Sequence, residues 1–380
     1  MKILLNGIGT KNKGAELMFY AIVQEIERNF PAAEVFIPYK NFKEGLDYLK
    51  TNTNVRFIPF SKQMYKLHLQ QLCKRLGLNN VLDCYNIKKD ADWFLDGSGF
   101  IFSDQWNPSE YSVKRWRNIL SLLHKNGCKI VFLPQAFGPF KKTESREQLS
   151  ILNDYADIVM PREQVSYNYV KETGLVDMHK VKMFTDFTSL VDGVFPAQYS
   201  HLKNGICIIP NHQMIEKGKM TYEDYVSLLL EIIEEGKLAG RPVYLLNHEG
   251  NKDRALCFKC KESAKDEIEV VTGLNALEVK GMIASAYLVV TSRFHGLASS
   301  LNSCVPALAT SWSHKYEELY RDYALESSVI RIDDNDNVAV MIKNLLDEKK
   351  NNEIRQHLSK QLPKIKEQTR LMWKEVWSIK

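Results

Sequence analysis

Arg293 and His295 are the two side chains of this sequence whose types and spacing best fit chemistry on an anion. They follow an apolar run over residues 288–290, typical of a buried parallel strand, and precede residues 297–301, which suit a helix. Ligands of open α/β sheets bind where strands end, and a helix N-terminus favours an anion. The planar fork of Arg293 suits carboxylate or phosphate, and His295 can donate a proton near neutral pH. We therefore predict an anion site here, with both side chains projecting from an extended turn over a buried Phe294.

A purely structural role fits the same residues. A helix start whose arginine pairs with a nearby acid, and whose histidine is a satisfied core residue, would show the same spacing. Thr291 and Ser292 are both suited to cap that helix. Physical chemistry alone does not choose between the two roles.

Polar or glycine-rich turns also follow the predicted strands in the first half of the chain. A strand over residues 2–5 leads into the turn 6–15, whose glycine spacing matches neither a dinucleotide fingerprint nor a P-loop. Asp96 ends another strand before a second glycine turn, and a strand over residues 129–133 leads into a loop that contains Gln135. One twisted parallel sheet would gather these exits on one edge. The glycines there either admit a substrate close to the backbone or serve only as tight turns.

The alternation of strands and helices restarts after a linker at residues 192–205. Predicted strands lie at residues 206–209, 242–246 and 306–310, and predicted helices at residues 221–238 and 275–285. This pattern predicts an α/β protein with two doubly wound Rossmann-like domains that face each other across a cleft. We place these domains at residues 1–195 and 205–350, followed by a C-terminal helix over residues 351–380.

Composition limits the class of protein. A hydrophobic content of 44% and a charged content of 26% are those of a soluble globular chain, and no run approaches the length of a membrane span. The net charge of +5 is carried by residues 341–380, so we expect no nucleic-acid partner for the main body. The seven cysteines are scattered, which suits the cytoplasm, and the isolated pair Cys257 and Cys260 lacks the further ligands of a zinc site.

The chain resembles the polysaccharide pyruvyl transferase family over residues 1–320. The resemblance depends on the order and spacing of five segments, which are Asn12-Lys-Gly-Ala-Glu-Leu17, Asp96-Gly-Ser-Gly99, Pro134-Gln-Ala-Phe-Gly-Pro139, Arg162 with Ser166, and Arg293-Phe-His295. In the family the last motif is usually Arg-Leu-His, so Phe294 departs from it at the middle position. The resemblance implies a two-domain fold like that of GT-B glycosyltransferases.

The resemblance also implies an activity. Members of the family transfer a pyruvyl group from phosphoenolpyruvate to two hydroxyls of a sugar, forming a cyclic ketal in the biosynthesis of surface, capsular or exopolysaccharides. It implies that Arg162, Arg293 and His295 hold phosphoenolpyruvate, and we add Ser292 and Lys315 at strand exits of the second domain. Phosphoenolpyruvate would be a co-substrate, and we expect neither a bound cofactor nor a metal.

We place the acceptor on the first domain, across the predicted cleft from the donor, because glycine turns let a sugar approach the backbone closely. The candidate acceptor residues are Asn12, Gly14, Asp96, Gly97, Gly99 and Gln135. The expected partner is a glycan, including one carried on a polyprenyl diphosphate.

The implied reaction needs an acid and a base. The enol methylene carbon must be protonated, and a sugar hydroxyl then attacks the cationic centre. His295 could supply that proton or stabilise the departing phosphate. Asp96, Glu249 and His248 are alternatives for the base, and the sequence does not choose among them.

Two other functions stay open at this point. A GT-B-type glycosyltransferase that uses a nucleotide sugar would share the fold and the cleft, and a non-catalytic saccharide-binding protein would bind without turnover. Only a pyruvyl transferase would release phosphate from phosphoenolpyruvate, so this measurement separates it from the other two.

The C-terminal segment carries an amphipathic pattern. Its apolar residues recur at helical spacing, and they are Leu358, Leu362, Ile365, Met372, Val376 and Ile379. We predict a helix beyond Pro363, with a break there. The helix either packs on the N-terminal domain or also presents a basic face to anionic lipid, so we expect a cytoplasmic protein with peripheral contact at the inner face of the membrane.

Overall fold

The computed structural model of the protein describes residues 1–38, 46–58, 87–217, 220–265, 267–311, 315–325, 329–331 and 338–379. The sequence of residues 61–90 is basic and predicts a helix, and most of this segment lies outside these ranges. The described chain forms two compact units. Unit 1 consists of Met1–Lys11, Met18–Phe187 and Arg370–Lys380, and unit 2 consists of Asn12–Leu17 and Thr188–Thr369.

Unit 1 is built on a parallel sheet of six strands in the order β3-β2-β1-β4-β5-β6. The strands are β1 (Lys2–Asn6), β2 (Glu34–Pro38), β3 (Val55–Ile58), β4 (Trp93–Asp96), β5 (Lys129–Gln135) and β6 (Ile158–Pro161). The helices that alternate with them are α1 (Lys13–Asn29), α2 (Leu46–Asn52), α3 (Glu110–Lys125), α4 (Thr143–Tyr155) and α5 (Gln164–Thr173). Helix α3 begins with a capping box between Ser109 and Ser112.

Unit 2 repeats this plan with a second parallel sheet of six strands, in the order β12-β11-β10-β7-β8-β9. The strands are β7 (Ile206–Ile209), β8 (Val243–Leu246), β9 (Glu269–Val271), β10 (Leu288–Thr291), β11 (Ala307–Ser311) and β12 (Val329–Arg331). Its helices are α6 (Gln213–Glu216), α7 (Tyr222–Leu238), α8 (Gly250–Ser263), α9 (Ala276–Ala284), α10 (Phe294–Asn302), α11 (Lys315–Asp322), α12 (Val338–Leu346) and α13 (Glu348–Trp377).

The order of the strands identifies a switch point in each sheet. In unit 1 the chain starts in the centre at β1, runs to one edge, and returns to the centre at β4. Unit 2 does the same with β7 and β10. Ligands of doubly wound sheets bind outside the carboxyl ends of the strands at such points. The predicted α/β class with two doubly wound parallel sheets is therefore confirmed.

The central strands are buried because helices cover both faces of each sheet. Every residue of β7, β8 and β10 is buried, which explains why these segments read as continuous apolar runs. Cys257 and Cys260 lie in the same core, where both are fully buried on α8.

The extents of the two units differ from the predicted domain boundaries in three places. Residues 12–17 group with unit 2, the chain passes from unit 1 to unit 2 between Phe187 and Thr188, and residues 370–380 group with unit 1. The predicted linker contains a 3-10 helix, Ala197–Leu202.

Helix α13 is continuous where a break was expected. It runs for 30 residues from Glu348 to Trp377 with Pro363 inside it, so the predicted break is wrong. Leu358 and Ile365 pack in the core of unit 2, whereas Met372 and Val376 are buried in the segment that belongs to unit 1. Burial on both sides of Pro363 keeps the helix continuous despite the missing backbone N–H. Among the residues that the structure describes, no helix combines the length and apolar character that crossing a bilayer requires.

Candidate active site

The candidate site of unit 2 lies at the carboxyl ends of β7, β8 and β10. Arg293 is the N-cap residue of α10, with extended backbone angles (φ −112°, ψ 128°), and its N–H donates to Thr291 Oγ1 at 3.0 Å. The helix begins at Phe294. His295 therefore lies in the first helical turn, and the expected extended turn over both residues is wrong beyond Arg293. The side chain of Arg293 makes no capping hydrogen bond, so the partial positive charge at the start of α10 is not covered by a side-chain cap.

Two carboxylates hold the guanidinium of Arg293. Its Nε donates to Asp253 Oδ2 at 2.8 Å, its Nη2 donates to the same oxygen, and its Nη1 donates to Glu249. An arginine has five N–H donors, so two have no partner among the described residues. The side chain of Asp253 is only 1% exposed, and its second oxygen accepts from His212 N at 2.9 Å. Burial raises the pKa of Asp253, and the charge of Arg293 opposes that rise.

Asn12 connects the first turn of α1 to this ion pair. Its Oδ1 caps the helix by accepting from Gly14 N at 2.8 Å, while its Nδ2 donates to Glu249 Oε2 at 3.0 Å. The backbone supports the contact, because Asn12 and Glu249 form an isolated antiparallel bridge and Lys13 N donates to His248 O at 3.4 Å. Asn12 and Arg293 thus both donate to the same oxygen of Glu249, Oε2.

Gly14 leaves the space that the ring of His295 needs. A Cβ atom added to Gly14 would lie 2.2 Å from His295 Nδ1 and 2.5 Å from its Cγ. The imidazole therefore packs directly on the backbone of the first turn of α1. Asn12 and Gly14, which we predicted to bind the acceptor, thus lie beside Arg293 and His295, our predicted donor residues.

Lys13 and Glu16 complete the first turn of α1. Lys13 Nζ pairs with Glu16 Oε2 at 2.7 Å, and Glu16 Oε1 accepts from Ala276 N at the start of α9. Burial raises the pKa of Glu16, and the nearby ammonium of Lys13 opposes this effect. The segment at residues 12–16 is therefore a wall of the Arg293 site rather than an isolated glycine turn.

His248 is a buried histidine at the exit of β8. Its side chain is nearly fully enclosed, and its Nδ1 has no hydrogen-bond partner among the described residues. Burial lowers its pKa well below the usual value, and the positive charges of Arg293, His295 and Lys13 lower it further. The imidazole is therefore neutral near pH 7.

Ser292 and Lys315 were also predicted to bind the donor. Ser292 is buried, and its hydroxyl bonds with Tyr225 OH at 2.6 Å and with Thr310 Oγ1, while its carbonyl accepts from Asn211 Nδ2 at 2.7 Å. These bonds tie β10 to the neighbouring strand exits, so the hydroxyl is occupied within the fold. Lys315 is the half-buried first residue of α11.

Asp96 lies at the switch point of unit 1. It is fully buried, and it accepts from Asn6 Nδ2 at 2.6 Å, from Ser98 N at 3.1 Å, from Ser98 Oγ at 2.9 Å and from Gln135 Nε2 at 3.2 Å. Burial raises the pKa of Asp96, and these donors oppose the rise. This carboxylate is saturated by the exits of β1, β4 and β5, which makes it a support of those turns and a poor base. Gln135 Oε1 is buried without a partner among the described residues.

The glycines after Asp96 have packing roles. A Cβ on Gly97 would lie 2.9 Å from Ile8 Cγ2 and 3.2 Å from Ile22 Cδ1. Gly99 has φ +74°, a left-handed conformation that favours glycine, and a Cβ there would lie 3.1 Å from Met18 Cε. The two positions thus face apolar side chains, and neither opens a polar surface to a sugar.

Arg162 begins the segment after β6 in unit 1. Its N–H donates to Gln135 O at 2.9 Å, and its buried guanidinium lies 3.6 Å from the carboxylate of Glu163. Glu163 also contacts the hydroxyl of Ser166. Arg162 belongs to unit 1, whereas Arg293 belongs to unit 2.

Sequence reasoning missed the role of Asp253 and the pairing of Glu249 with Arg293. A signal was present, because two acids spaced by four residues at a helix start share one helix face. Within the described ranges, no group of three or more His, Cys, Asp or Glu side chains is arranged to hold a metal ion.

Comparison with solved structures places the fold. HepE from Anabaena in complex with UDP superposes with a TM-score of 0.61 at 12% identity, covering 100% of both chains. UDP-GlcNAc 2-epimerase from Neisseria meningitidis, bound to UDP-GlcNAc, gives a TM-score of 0.61 at 10% identity with the same coverage. The epimerase from Methanocaldococcus jannaschii gives 0.58 at 12% identity, covering 92% of this chain and 94% of its own. At these identities the similarity shows the fold, which is GT-B-like as predicted.

Comparison of sequences gives the family. Among curated proteins, no sequence matches this chain. The model of the family described as polysaccharide pyruvyl transferase matches residues 12–314, a range that begins at the capping residue of α1 and includes both the saturated carboxylate of unit 1 and the Arg293 site of unit 2. The chain belongs to the polysaccharide pyruvyl transferase family.

Proposed function

We propose that the protein transfers a pyruvyl group from phosphoenolpyruvate to two hydroxyls of a sugar, forming a cyclic ketal and releasing phosphate. One observation carries this proposal. Arg293 and His295 lie at the start of α10, at the switch point of a doubly wound sheet, in a chain of the polysaccharide pyruvyl transferase family. An arginine fork and a helix N-terminus are suited to a small anion that carries both carboxylate and phosphate.

The residues of the site have separable roles in this reaction. The two N–H groups of Arg293 that Asp253 and Glu249 leave open would bind an oxygen pair of phosphoenolpyruvate. His295, held against Gly14, would donate the proton that converts the methylene carbon into a methyl group. Asp253 and Glu249 fix the orientation of the fork, and they also reduce the net positive charge that a donor meets.

The acceptor would be a glycan of a surface polysaccharide, free or carried on a polyprenyl diphosphate. Asp96, Gly97, Gly99 and Gln135 stay our candidates for its side of the reaction, although their contacts described above are internal to unit 1. Arg162 stays a candidate for the donor.

A second function is favoured by one specific observation. The three structural neighbours described above carry UDP or UDP-GlcNAc, and they share this fold over 92–100% of the chain. Under this alternative the protein is a glycosyltransferase of GT-B type, and the start of α10 would receive the diphosphate of a nucleotide sugar.

One experiment separates the two functions. The purified protein is incubated with phosphoenolpyruvate and a panel of aryl and lipid-linked glycosides, and released phosphate is measured together with the mass of the glycoside. Ketal transfer adds 70 Da to the acceptor, the mass of pyruvate less water. A parallel series contains UDP-GlcNAc in place of phosphoenolpyruvate.

We expect acceptor-dependent phosphate release and the ketal mass shift in the first series only. Transfer of a sugar residue in the second series, without phosphate release in the first, would establish the glycosyltransferase instead. Binding of glycosides without turnover in either series would reduce the protein to a saccharide-binding function.

A further inference from the structure

We infer that Glu249 is the general base that takes the proton of the attacking sugar hydroxyl. The inference rests on the proposed pyruvyl transfer and assigns the base that this reaction needs. Glu249 Oε2 is held by Asn12 Nδ2 and Arg293 Nη1, whereas its Oε1 has no hydrogen-bond partner among the described residues. The side chain is 25% exposed. One oxygen is thus fixed within the protein, and the other is accessible beside the arginine of the donor site.

The other candidates for the base are less suited. Asp96 is fully buried and accepts four hydrogen bonds, so it has neither access nor a vacant lone pair of good geometry. Asp253 is enclosed, and both its oxygens are occupied by Arg293 and His212 N. His248 is enclosed among positive charges, where an added proton is unfavourable. A general base must reach the proton that it removes, and Glu249 alone among these four combines a partly exposed side chain with a carboxylate oxygen that has no partner among the described residues.

Charged and polar groups from α10, α1 and α8 surround Glu249. Arg293 faces it from the start of α10, and Asn12 and Lys13 approach it from the first turn of α1. Asp253 lies one helical turn further along α8 and shares Arg293 with it, and His248 and His295 are the titratable groups nearby. Arg293 holds one oxygen of Glu249 beside the donor site, which leaves the second oxygen to accept the proton of the hydroxyl.

The proposed step balances in atoms and charge. The His295 proton passes to the methylene carbon of phosphoenolpyruvate, which leaves a cationic centre at the carbon that carries the phosphate. The first hydroxyl oxygen forms a bond to that carbon as its proton passes to Glu249. The bond to the phosphate oxygen then breaks, the electron pair leaves with phosphate, and the second hydroxyl closes the ring and gives its proton to the phosphate. The proton on Glu249 returns through solvent to His295.

The same contacts make Asn12 a positioning residue for Glu249. Its two side-chain atoms have different tasks, because Oδ1 caps α1 and Nδ2 holds Glu249. Asn12→Ser keeps a capping oxygen and removes the amide donor to Glu249 without adding a charge. This substitution therefore separates the orientation of the base from the stability of the helix.

The test compares Glu249→Gln with Asp253→Asn, since each removes one carboxylate partner of Arg293 and only the first removes the proposed base. Phosphate release is measured from pH 5 to 9 with saturating acceptor. We expect Glu249→Gln to lower kcat by about 100-fold or more, with KM for phosphoenolpyruvate within about threefold, and to lose the acidic limb of the kcat profile. Asp253→Asn should raise KM and keep that limb. Asn12→Ser should lower kcat by about tenfold with the thermal midpoint retained.

A chemical rescue adds a readout that a structural role would not move. Formate added to Glu249→Ala should restore part of the turnover, because a small carboxylate can occupy the vacated position, whereas formate should not rescue Asp253→Ala. Wild-type turnover together with an intact acidic limb in Glu249→Gln would overturn the assignment. Absence of phosphate release in the wild-type protein with every acceptor would instead overturn the proposed function. Circular dichroism of each variant confirms that it is folded.

Discussion

At the scale of single residues, the guanidinium of Arg293 is fixed before any ligand arrives. Asp253 and Glu249 occupy three of its N–H groups and hold the plane of the fork. Such preorganisation lowers the entropy that a donor must lose on binding, because the side chain is already ordered. The two carboxylates also compete with an incoming anion for positive charge, so the affinity for the donor reflects both effects.

Arg293→Lys tests the need for the fork. A lysine keeps the charge but cannot contact both carboxylates and an anion in one plane. Hydrogen bonds to charged groups contribute about 1.5–3 kcal/mol, so we expect kcat/KM for phosphoenolpyruvate to fall by roughly 10- to 100-fold. Steady-state kinetics provides the measurement, with Arg254→Lys, an exposed arginine next to Asp253 on the same helix, as the control. Equal kinetics in Arg293→Lys and the wild-type protein would remove Arg293 from the donor site.

Gly14→Ala tests the contact between α1 and His295. The added methyl group would displace the imidazole, since it would lie 2.2 Å from Nδ1. A shift of about 1 Å at a reacting group can cost about 100-fold in rate, and alanine is the better helix former by about 1 kcal/mol. We therefore expect a large loss of turnover with little change in thermal stability.

The control for this substitution is Gly236→Ala in α7. A Cβ there would lie 2.6 Å from Ile206 Cδ1 within the core of unit 2. Overpacking of this kind costs about 1–3 kcal/mol, so this variant should lose stability and keep its specific activity. The reverse pattern in the two variants would show that Gly14 serves packing alone.

His248 predicts a pH dependence of stability. Its pKa in the folded protein lies well below the ordinary value of 6.5, mainly because of burial, so the folded state holds it neutral while the unfolded chain takes up a proton below that pH. The stability that this residue contributes is complete above pH 6.5 and is lost as the pH falls towards the lowered pKa. The slope is at most about 1.4 kcal/mol per pH unit.

Urea unfolding of the wild-type protein and of His248→Gln between pH 7.5 and 5 measures this slope. The variant should lose less stability on acidification than the wild-type protein, and His179→Gln, at an exposed position, should not differ from it. Parallel curves for His248→Gln and the wild-type protein would contradict the assignment of a neutral buried imidazole.

The sequence predicted Arg293 and His295 as a pair at a strand exit because an apolar run followed by polar residues is a local pattern. It did not predict that Gly14 contacts His295 or that Asn12 contacts Glu249, the partner of Arg293, since these residues lie about 280 and 237 positions apart. The roles of Asp96 and Ser292 also depended on tertiary contacts. Both residues fit a binding role in sequence, yet the side-chain oxygens of each form hydrogen bonds within the fold.

At the scale of elements, side-chain packing along α13 outweighs the tendency of Pro363 to break a helix. The amphipathic pattern was predicted correctly, and four of its six apolar residues, Leu358, Ile365, Met372 and Val376, are buried. The break at Pro363 was not found, because side chains buried before and after it hold the helix straight enough to continue. The contact of its basic face with anionic lipid stays a prediction.

Pro363→Ala should therefore stabilise the protein. Alanine restores the backbone N–H and removes the clash with the preceding turn, and a proline inside a helix costs up to about 3 kcal/mol. Part of that gain is offset by the greater freedom of the unfolded chain, so we expect a net increase of about 1–2 kcal/mol in the free energy of unfolding. Thermal unfolding provides the measurement, with the neighbouring exposed Lys364→Ala as the control. A lower midpoint for Pro363→Ala would show that the helix needs the proline geometry.

At the scale of the whole molecule, two sheets with the same strand order account for most of the fold. The alternation of apolar strands and amphipathic helices predicted both sheets, because parallel connections need helices and bury their strands on both faces. The grouping of residues 370–380 with unit 1 agrees with the predicted packing of the C-terminal helix on the N-terminal domain. The grouping of residues 12–17 with unit 2 was not predicted, since it depends on contacts made far along the chain. Periodicity shows which face of a helix is buried, but not which core receives it.

Trp373→Ala tests the assignment of the C-terminal segment to unit 1. Trp373 is 3% exposed and packs against Phe187 and Trp377, which in turn contacts Trp93. Truncation of a buried tryptophan costs about 3–5 kcal/mol. Hydrogen exchange should therefore accelerate in β1 and β4 of unit 1 and change less in β7 and β10 of unit 2.

Trp106→Ala is the matched control, because Trp106 belongs to unit 1 and is 55% exposed. It should leave the exchange of both sheets nearly unchanged. Faster exchange confined to unit 2 in Trp373→Ala would contradict the grouping of residues 370–380.

The discontinuous composition of unit 1 has a consequence for protein synthesis. Residues 370–380 leave the ribosome after all of unit 2, about 180 residues later than Phe187. At roughly 5–20 residues per second, the aromatic surface around Phe30 and Trp93, which Trp377 covers in the finished protein, stays uncovered for about 10–40 s. During that interval the nascent chain carries an apolar patch of the kind that chaperones bind. The yield of the protein in cells should therefore depend on how fast the stretch from residue 188 to residue 377 is translated.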